Sequence, residues 1–228
     1  MKSILTTMAG ALLFLTMASE PAASAETKPD FAHWENEIAA FERADATNPP
    51  PKNALLFIGS STIRLWHTLA PDLPGQTVIN RGFGGSTIKD STHFAARIIF
   101  PYAPRQIFLR AGGNDLWSGQ SVGEVFTNFQ EFVSTVHAQL PKTEIVFISL
   151  SPSPARWKQA AKEKALNDLV ADFVRGKNQL RYLETYDVAL GTNGQPSAEL
   201  FIGDQLHFNA HGYRLLAERV RKFLAETK

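Results

Sequence analysis

Four short segments carry the residue types that acyl transfer needs: a hydroxyl nucleophile, a base, a carboxylate to orient that base, and donors for a developing oxyanion. The first is Leu55-Leu56-Phe57-Ile58-Gly59-Ser60-Ser61-Thr62, an apolar run that stops at a glycine and two serines. The second is Asn80-Arg81-Gly82-Phe83-Gly84-Gly85-Ser86-Thr87, and the third is Gly112-Gly113-Asn114-Asp115. The fourth is Asp204-Gln205-Leu206-His207.

A serine hydroxyl is a poor nucleophile until a base takes its proton, and His207 is the candidate base. Asp204, three residues earlier, can accept the other imidazole N–H from the same tight turn and stabilise the imidazolium. The candidate oxyanion donors are the N–H groups of Ser61 and Gly85 and the side-chain amide of Asn114. One such donor is worth about 3–4 kcal/mol of barrier. No segment is specific alone. A D-x-x-H pair is structural more often than catalytic, and Ser60 or Ser61 would serve equally as a helix cap.

The elements that must position these residues follow from hydrophobic pattern. Leu55 to Gly59 reads as a strand buried on both faces, and Thr62 to Leu69 as a helix start. Further strands are predicted at 77–80, 106–110 and 144–148, with a weaker fifth at 181–183. Val122, Val125, Phe126, Phe129, Phe132, Val133 and Val136 predict a helix over 121–140, closed by Pro141. A second helix is predicted over 154–175, with Leu166, Leu169, Val170 and Phe173 inward. A third starts near Asn209, with Tyr213, Leu216, Val220, Phe223 and Leu224 on one side. Strands alternating with helices imply an α/β protein: a parallel sheet in a three-layer α/β/α sandwich, with ligands outside the carboxyl ends of the strands. Three of the four segments sit at such ends, and the fourth just precedes the last helix.

In this order and spacing the four segments resemble the SGNH hydrolases (GDSL-type lipases and esterases), nearest the branch similar to the platelet-activating-factor acetylhydrolase catalytic subunits. The resemblance runs from about Leu55 to Phe223. It implies a flavodoxin-like five-stranded sheet of order 2-1-3-4-5. It also places the family's serine on Ser61, its oxyanion glycine on Gly85, its asparagine on Asn114, and its acid and base on Asp204 and His207. One position departs: the family has Gly-Asp-Ser where this chain has Gly59-Ser60-Ser61. A serine hydroxyl makes weaker local bonds than that aspartate. The change bears on the rigidity of the nucleophile turn, and leaves Ser60 as an outside candidate.

The chain has 228 residues, no cysteine and a formal net charge of +1. Nothing here attracts nucleic acid or an anionic membrane surface, and packing rather than disulfides must hold the fold. Lys2, the apolar stretch from Ile4 to Met17 and Ala23-Ser24-Ala25 before Glu26 form a signal-peptide pattern over residues 1–25. The stretch is shorter than the ~18–20 residues of a spanning helix, so cleavage and a periplasmic or secreted product are expected, without a stable membrane anchor. Residues 26–51 are expected to form an N-terminal helix and a Pro-rich linker, with Phe31, Trp34, Ile38 and Phe41 on the helix face, and 52–228 the hydrolase domain.

Two other patterns are decoys. Gly119-Gln120-Ser121-Val122-Gly123 matches a nucleophile elbow but lacks a preceding strand; Ser121 with Glu124 reads instead as a capping box. Gly82-Phe83-Gly84-Gly85 lacks the third glycine of a dinucleotide fingerprint. Asp204, His207 and His211 have no second cluster to complete a metal site, so neither metal nor cofactor is expected. The reading is an exported serine esterase for short acyl chains, such as acetyl esters of a glycan or lipid. Its alternatives are an inactive SGNH-like module that binds a glycan or lipid, and an acyltransferase using the same residues. Substrate-binding residues and oligomeric state stay open.

Overall fold

Apolar runs without polar alternation require cover on both faces, and five of them build one sheet. The computed structural model describes residues 30–226, so the leader expected over 1–25 lies outside the described residues. Strands β1 (Leu55–Gly59), β2 (Val78–Gly82), β3 (Gln106–Arg110), β4 (Glu144–Ile148) and β5 (Leu180–Leu183) pair in parallel in the order β2-β1-β3-β4-β5. This is the sheet that the resemblance implied.

Period-two alternation divides the core. Leu56 and Ile58 of β1 face α1 (Glu35–Thr47), α4 (Ile88–His93), α5 (Ala95–Ile98), α7 (Val122–Gln139) and α8 (Ala160–Val174). Leu55 and Phe57 face α2 (Ser61–Arg64), α3 (Leu69–Asp72) and α9 (Ala210–Glu226). A short helix, α6 (Gly113–Trp117), sits at the end of β3. Every residue of β1 and β3 is buried, and each fully buried Leu, Ile or Phe contributes about 1.5–3 kcal/mol. The carboxyl ends of the strands are thereby fixed by packing on both sides.

Three local expectations differ from the structure. The helix after β1 stops at Arg64 rather than Leu69, because Trp66 turns into the core, 1% exposed, and donates to Asp72 at 2.7 Å. The segment from Pro154 to Gln159 is a 3₁₀ turn kinked at Arg156, and regular helix begins only at Ala160. Leu169, expected inward, is 41% exposed. The inward stripe of α8 instead includes Glu163 and Asn167 beside Leu166 and Val170, which turns Leu169 outward. Asn167 uses its inward place to bind both backbone groups of Leu150, at 2.9 Å each. By contrast, the capping box of Ser121 and Glu124 forms as read.

Gly59 is the tightest point of the sheet. Its φ is +139°, and a Cβ there would lie 2.0 Å from the carbonyl oxygen of Arg110. Gly59→Ala is expected to cost about 2–4 kcal/mol, combining backbone strain with overpacking. Urea unfolding of the variant beside wild type measures this; an unchanged midpoint would refute it.

Candidate active site

The structure brings the four segments to one edge of the sheet. Ser60 N–H continues the ladder to Arg110 O at 3.2 Å, and Ser61 then opens α2. Ser60 makes no side-chain capping bond, so the turn is held by other groups. Asn80 donates to Ile63 O at 2.7 Å and accepts from Gly82 N–H at 2.9 Å. The Tyr213 hydroxyl donates to Thr62 O at 2.9 Å. The rigidity that the missing aspartate put in question is therefore supplied from β2 and α9.

Ser61 Oγ lies 2.9 Å from His207 Nε2, and His207 Nδ1 lies 2.6 Å from Asp204 Oδ2. Asp204 Oδ1 accepts the backbone N–H groups of Leu206 and His207 at 2.9 and 3.0 Å. Those bonds curl the loop so that both side chains leave it on one side. The His207 bond, followed by its backbone N–H, holds the Asp204 carboxyl down at about 2. Asp204 is therefore ionised across the neutral range. Phe201 and Phe208 stack at 5.1 Å beneath the loop and bridge through their backbones.

The opposite side of Ser61 carries donors. The N–H groups of Ser61 and Gly85 are spent on no backbone bond, as the first position of a helix and a turn with φ of +87° leave them. Asn114 Nδ2 donates one hydrogen to Ser86 O at 3.0 Å and keeps the other. Its Oδ1 accepts from Arg156 at 2.8 Å. The Trp34 ring lies over Gly85, 3.3 Å from where its Cβ would be, and meets Phe83 edge-on at 5.3 Å.

Two recesses meet at Ser61, Asn114 and His207. The inner one, a cavity of about 60 Å³, runs under Leu150, Ser151 and Ser153 to Arg110 and Glu163. The outer one, about 310 Å³, is bounded by Arg64, Leu65, Gly84 and Gly85. Arg110 is fully enclosed, and desolvation pulls its pKa down to about 10 against the opposing charge of Glu163. It donates to Ser149 O, Thr185 Oγ1 and Ser151 Oγ. Burial raises the pKa of Glu163. Trp66 walls no recess, and Trp117 stands outside, 57% exposed, under the guanidinium of Arg156. His211 sits in the first turn of α9, capped by Asn209 Oδ1 at 2.8 Å. Among the described residues no three His, Cys, Asp or Glu side chains converge as a metal site. Arg156 and Glu163 were not singled out from the sequence; they lie far along the chain from any motif.

A model of the GDSL-like Lipase/Acylhydrolase family matches residues 59–215, and the chain belongs to that family. It is thus a serine hydrolase acting on ester bonds. Its fold is similar to that of a Streptococcus pneumonia protein provisionally named for platelet activating factor, with 22% identity and a TM-score of 0.74 over 85% of this chain and 94% of that one. A GDSL-like lipase from Bacteroides thetaiotaomicron gives 17%, 0.69, 87% and 100%. A catalytic mutant of an acetylxylan esterase from Geobacillus stearothermophilus gives 14%, 0.63, 75% and 94%. No curated protein matches by sequence.

Asp115 accepts Ile88 N–H at 3.2 Å and so ties α6 to the start of α4. Burial, with the Asp90 charge adding, pushes its carboxyl up to about 6 against that bond. The folded protein then holds a proton between about pH 4 and 6 that the unfolded chain releases, so stability falls as pH rises through that window. Asp115→Asn lacks this titration. Relative to it, wild type is expected to lose about 2 kcal/mol between pH 4 and 6.5, read by urea unfolding; parallel pH curves would refute the assignment.

Proposed function

We propose that this chain is an exported esterase for short acyl groups, with Ser61 as nucleophile, His207 as general base and acid, and Asp204 as the group that orients it. The observation that carries the reading is the unbroken chain from Asp204 Oδ2 through His207 to Ser61 Oγ, at 2.6 and 2.9 Å. His207 takes the Ser61 proton as Oγ attacks the ester carbonyl. The tetrahedral anion lies against the N–H groups of Ser61 and Gly85 and the free hydrogen of Asn114 Nδ2. His207 then passes the proton to the leaving alcohol oxygen, the carbonyl re-forms as an acyl-serine, and water repeats the sequence to free the acid.

The preference for short acyl groups rests on the inner recess. A cavity of about 60 Å³ lined by Ser151, Ser153 and Arg110 has room for an acetyl group and offers no long apolar tunnel. The outer recess, wider and open, suits the alcohol part. The likeness in fold to an acetylxylan esterase makes acetylated glycans the first natural substrates to screen. Export rests on the leader pattern over residues 1–25, and the mass of the mature chain from periplasm or medium tests it.

Wild type is expected to hydrolyse p-nitrophenyl acetate faster than butyrate and to be labelled by a fluorophosphonate. Ser61→Ala is expected to lose about 10⁵–10⁶ in kcat, while Ser60→Ala stays within about tenfold. Asp204→Asn is expected to lower kcat about 10⁴-fold by misplacing the imidazole proton. Turnover that survives Ser61→Ala and disappears in Ser60→Ala would move the nucleophile. Folded wild type without turnover or labelling would overturn the reading.

A further inference from the structure

An asparagine amide can donate to an oxyanion only if Nδ2 rather than Oδ1 faces it, and the two orientations have nearly the same shape. Two neighbours decide the question for Asn114. Ser86 O, which can only accept, lies 3.0 Å from Nδ2. A guanidinium nitrogen of Arg156, which can only donate, lies 2.8 Å from Oδ1. Reversing the amide would set carbonyl against carbonyl and NH₂ against guanidinium. The Ser86 bond occupies one of the two Nδ2 hydrogens and leaves the other pointing elsewhere.

Arg156 is itself held. Its guanidinium lies 4.9 Å from the centre of the Trp117 ring, a cation–π contact. The helical path breaks at Arg156, with φ of −121° and ψ of 22°, and this kink turns the side chain toward α6 rather than along α8. Trp117 belongs to α6 with Asn114, so one short helix carries both the amide and the ring that seats its clamp. Arg156 also borders both recesses beside Ser61.

We propose that Arg156 is a positioning residue for the oxyanion amide: it fixes the orientation of Asn114 and polarises it, with Trp117 as its seat. A positive charge on Oδ1 draws electron density from the amide and makes the free Nδ2 hydrogen a stronger donor. The effect belongs to the transition state, where the oxygen is charged, and so falls on kcat rather than KM. The inference rests on the esterase reading above, in which Asn114 meets the anion.

The test is a double-mutant cycle on p-nitrophenyl acetate with Arg156→Gln, Arg156→Lys, Asn114→Ala and Asn114→Ala/Arg156→Gln. Arg156→Gln is expected to lower kcat about 10- to 100-fold with KM within about threefold. Arg156→Lys, which keeps a charged donor, should recover at least about half of that loss on a logarithmic scale. In the Asn114→Ala background, Arg156→Gln should cost less than about twofold. Wild-type kcat in Arg156→Gln, or an undiminished loss in the Asn114→Ala background, would overturn the proposal. The ¹⁵N NMR signal of the Asn114 side-chain amide reads the clamp without turnover. A single sharp pair that broadens or shifts in Arg156→Gln supports the proposal, and an unchanged pair overturns it. An inactive wild type would refute the esterase reading and with it the oxyanion role, while the amide signal still decides whether Arg156 clamps Asn114.

Discussion

The arrangement depends on how closely two strands approach at the carboxyl end of β1. Gly59 has no side chain, and the carbonyl of Arg110 occupies the space that one would fill. Backbone bonds to β3 and to the start of the next loop, Ser60 N–H to Arg110 O and Phe83 N–H to Gly59 O, reach across that point. The residue after the next one is Ser61, so its position is set by the sheet rather than by a flexible loop. Side chains farther away then brace what the sheet has placed. Asn80 and Tyr213 hold the first turn of α2, and Asp115 ties α6 to α4.

The two halves of the site are built by different means. The donor side consists of backbone and amide groups anchored on strands β1, β2 and β3, with little freedom to relax. The acid–base side is a loop outside the sheet, curled around its own aspartate through two backbone N–H bonds and seated on stacked phenylalanines. Such a division suits the proposed chemistry. Donors to a developing charge act best when they cannot move, whereas in that mechanism the imidazole exchanges a proton with two different oxygens in turn.

The burial of β1 and β3 and the helix over 122–139 were legible in local apolar runs. The strand order followed from the family resemblance that the four motifs carry, and the structure brings the residues of those motifs, Ser61, Gly85, Asn114, Asp204 and His207, close together. The misreadings share a cause in side chains that serve a distant partner. Leu169 faces solvent because Asn167 is needed against Leu150. Arg110, read only as the end of a strand, gathers the oxygens of Ser149, Ser151 and Thr185, residues of two other loops. Arg156 carries no motif at all; its meaning lies in a kink and in a partner on α6. Periodicity reports which face is apolar. It does not report which polar group on that face has an appointment across the fold.

Trp34 has a consequence of its own. It lies just before α1, outside the four motif segments, yet its ring backs the Gly85 turn, and its indole N–H is buried with no hydrogen-bond partner among the described residues. The wall beside Gly85, where the proposed mechanism sets the oxyanion, is thus closed by a residue that precedes the whole sheet in sequence. Removing the segment before β1 would spare Ser61, Gly85, Asn114, Asp204 and His207 and still uncover the Gly85 turn. The part of the fold that shapes this site extends beyond the boundary defined by its motifs.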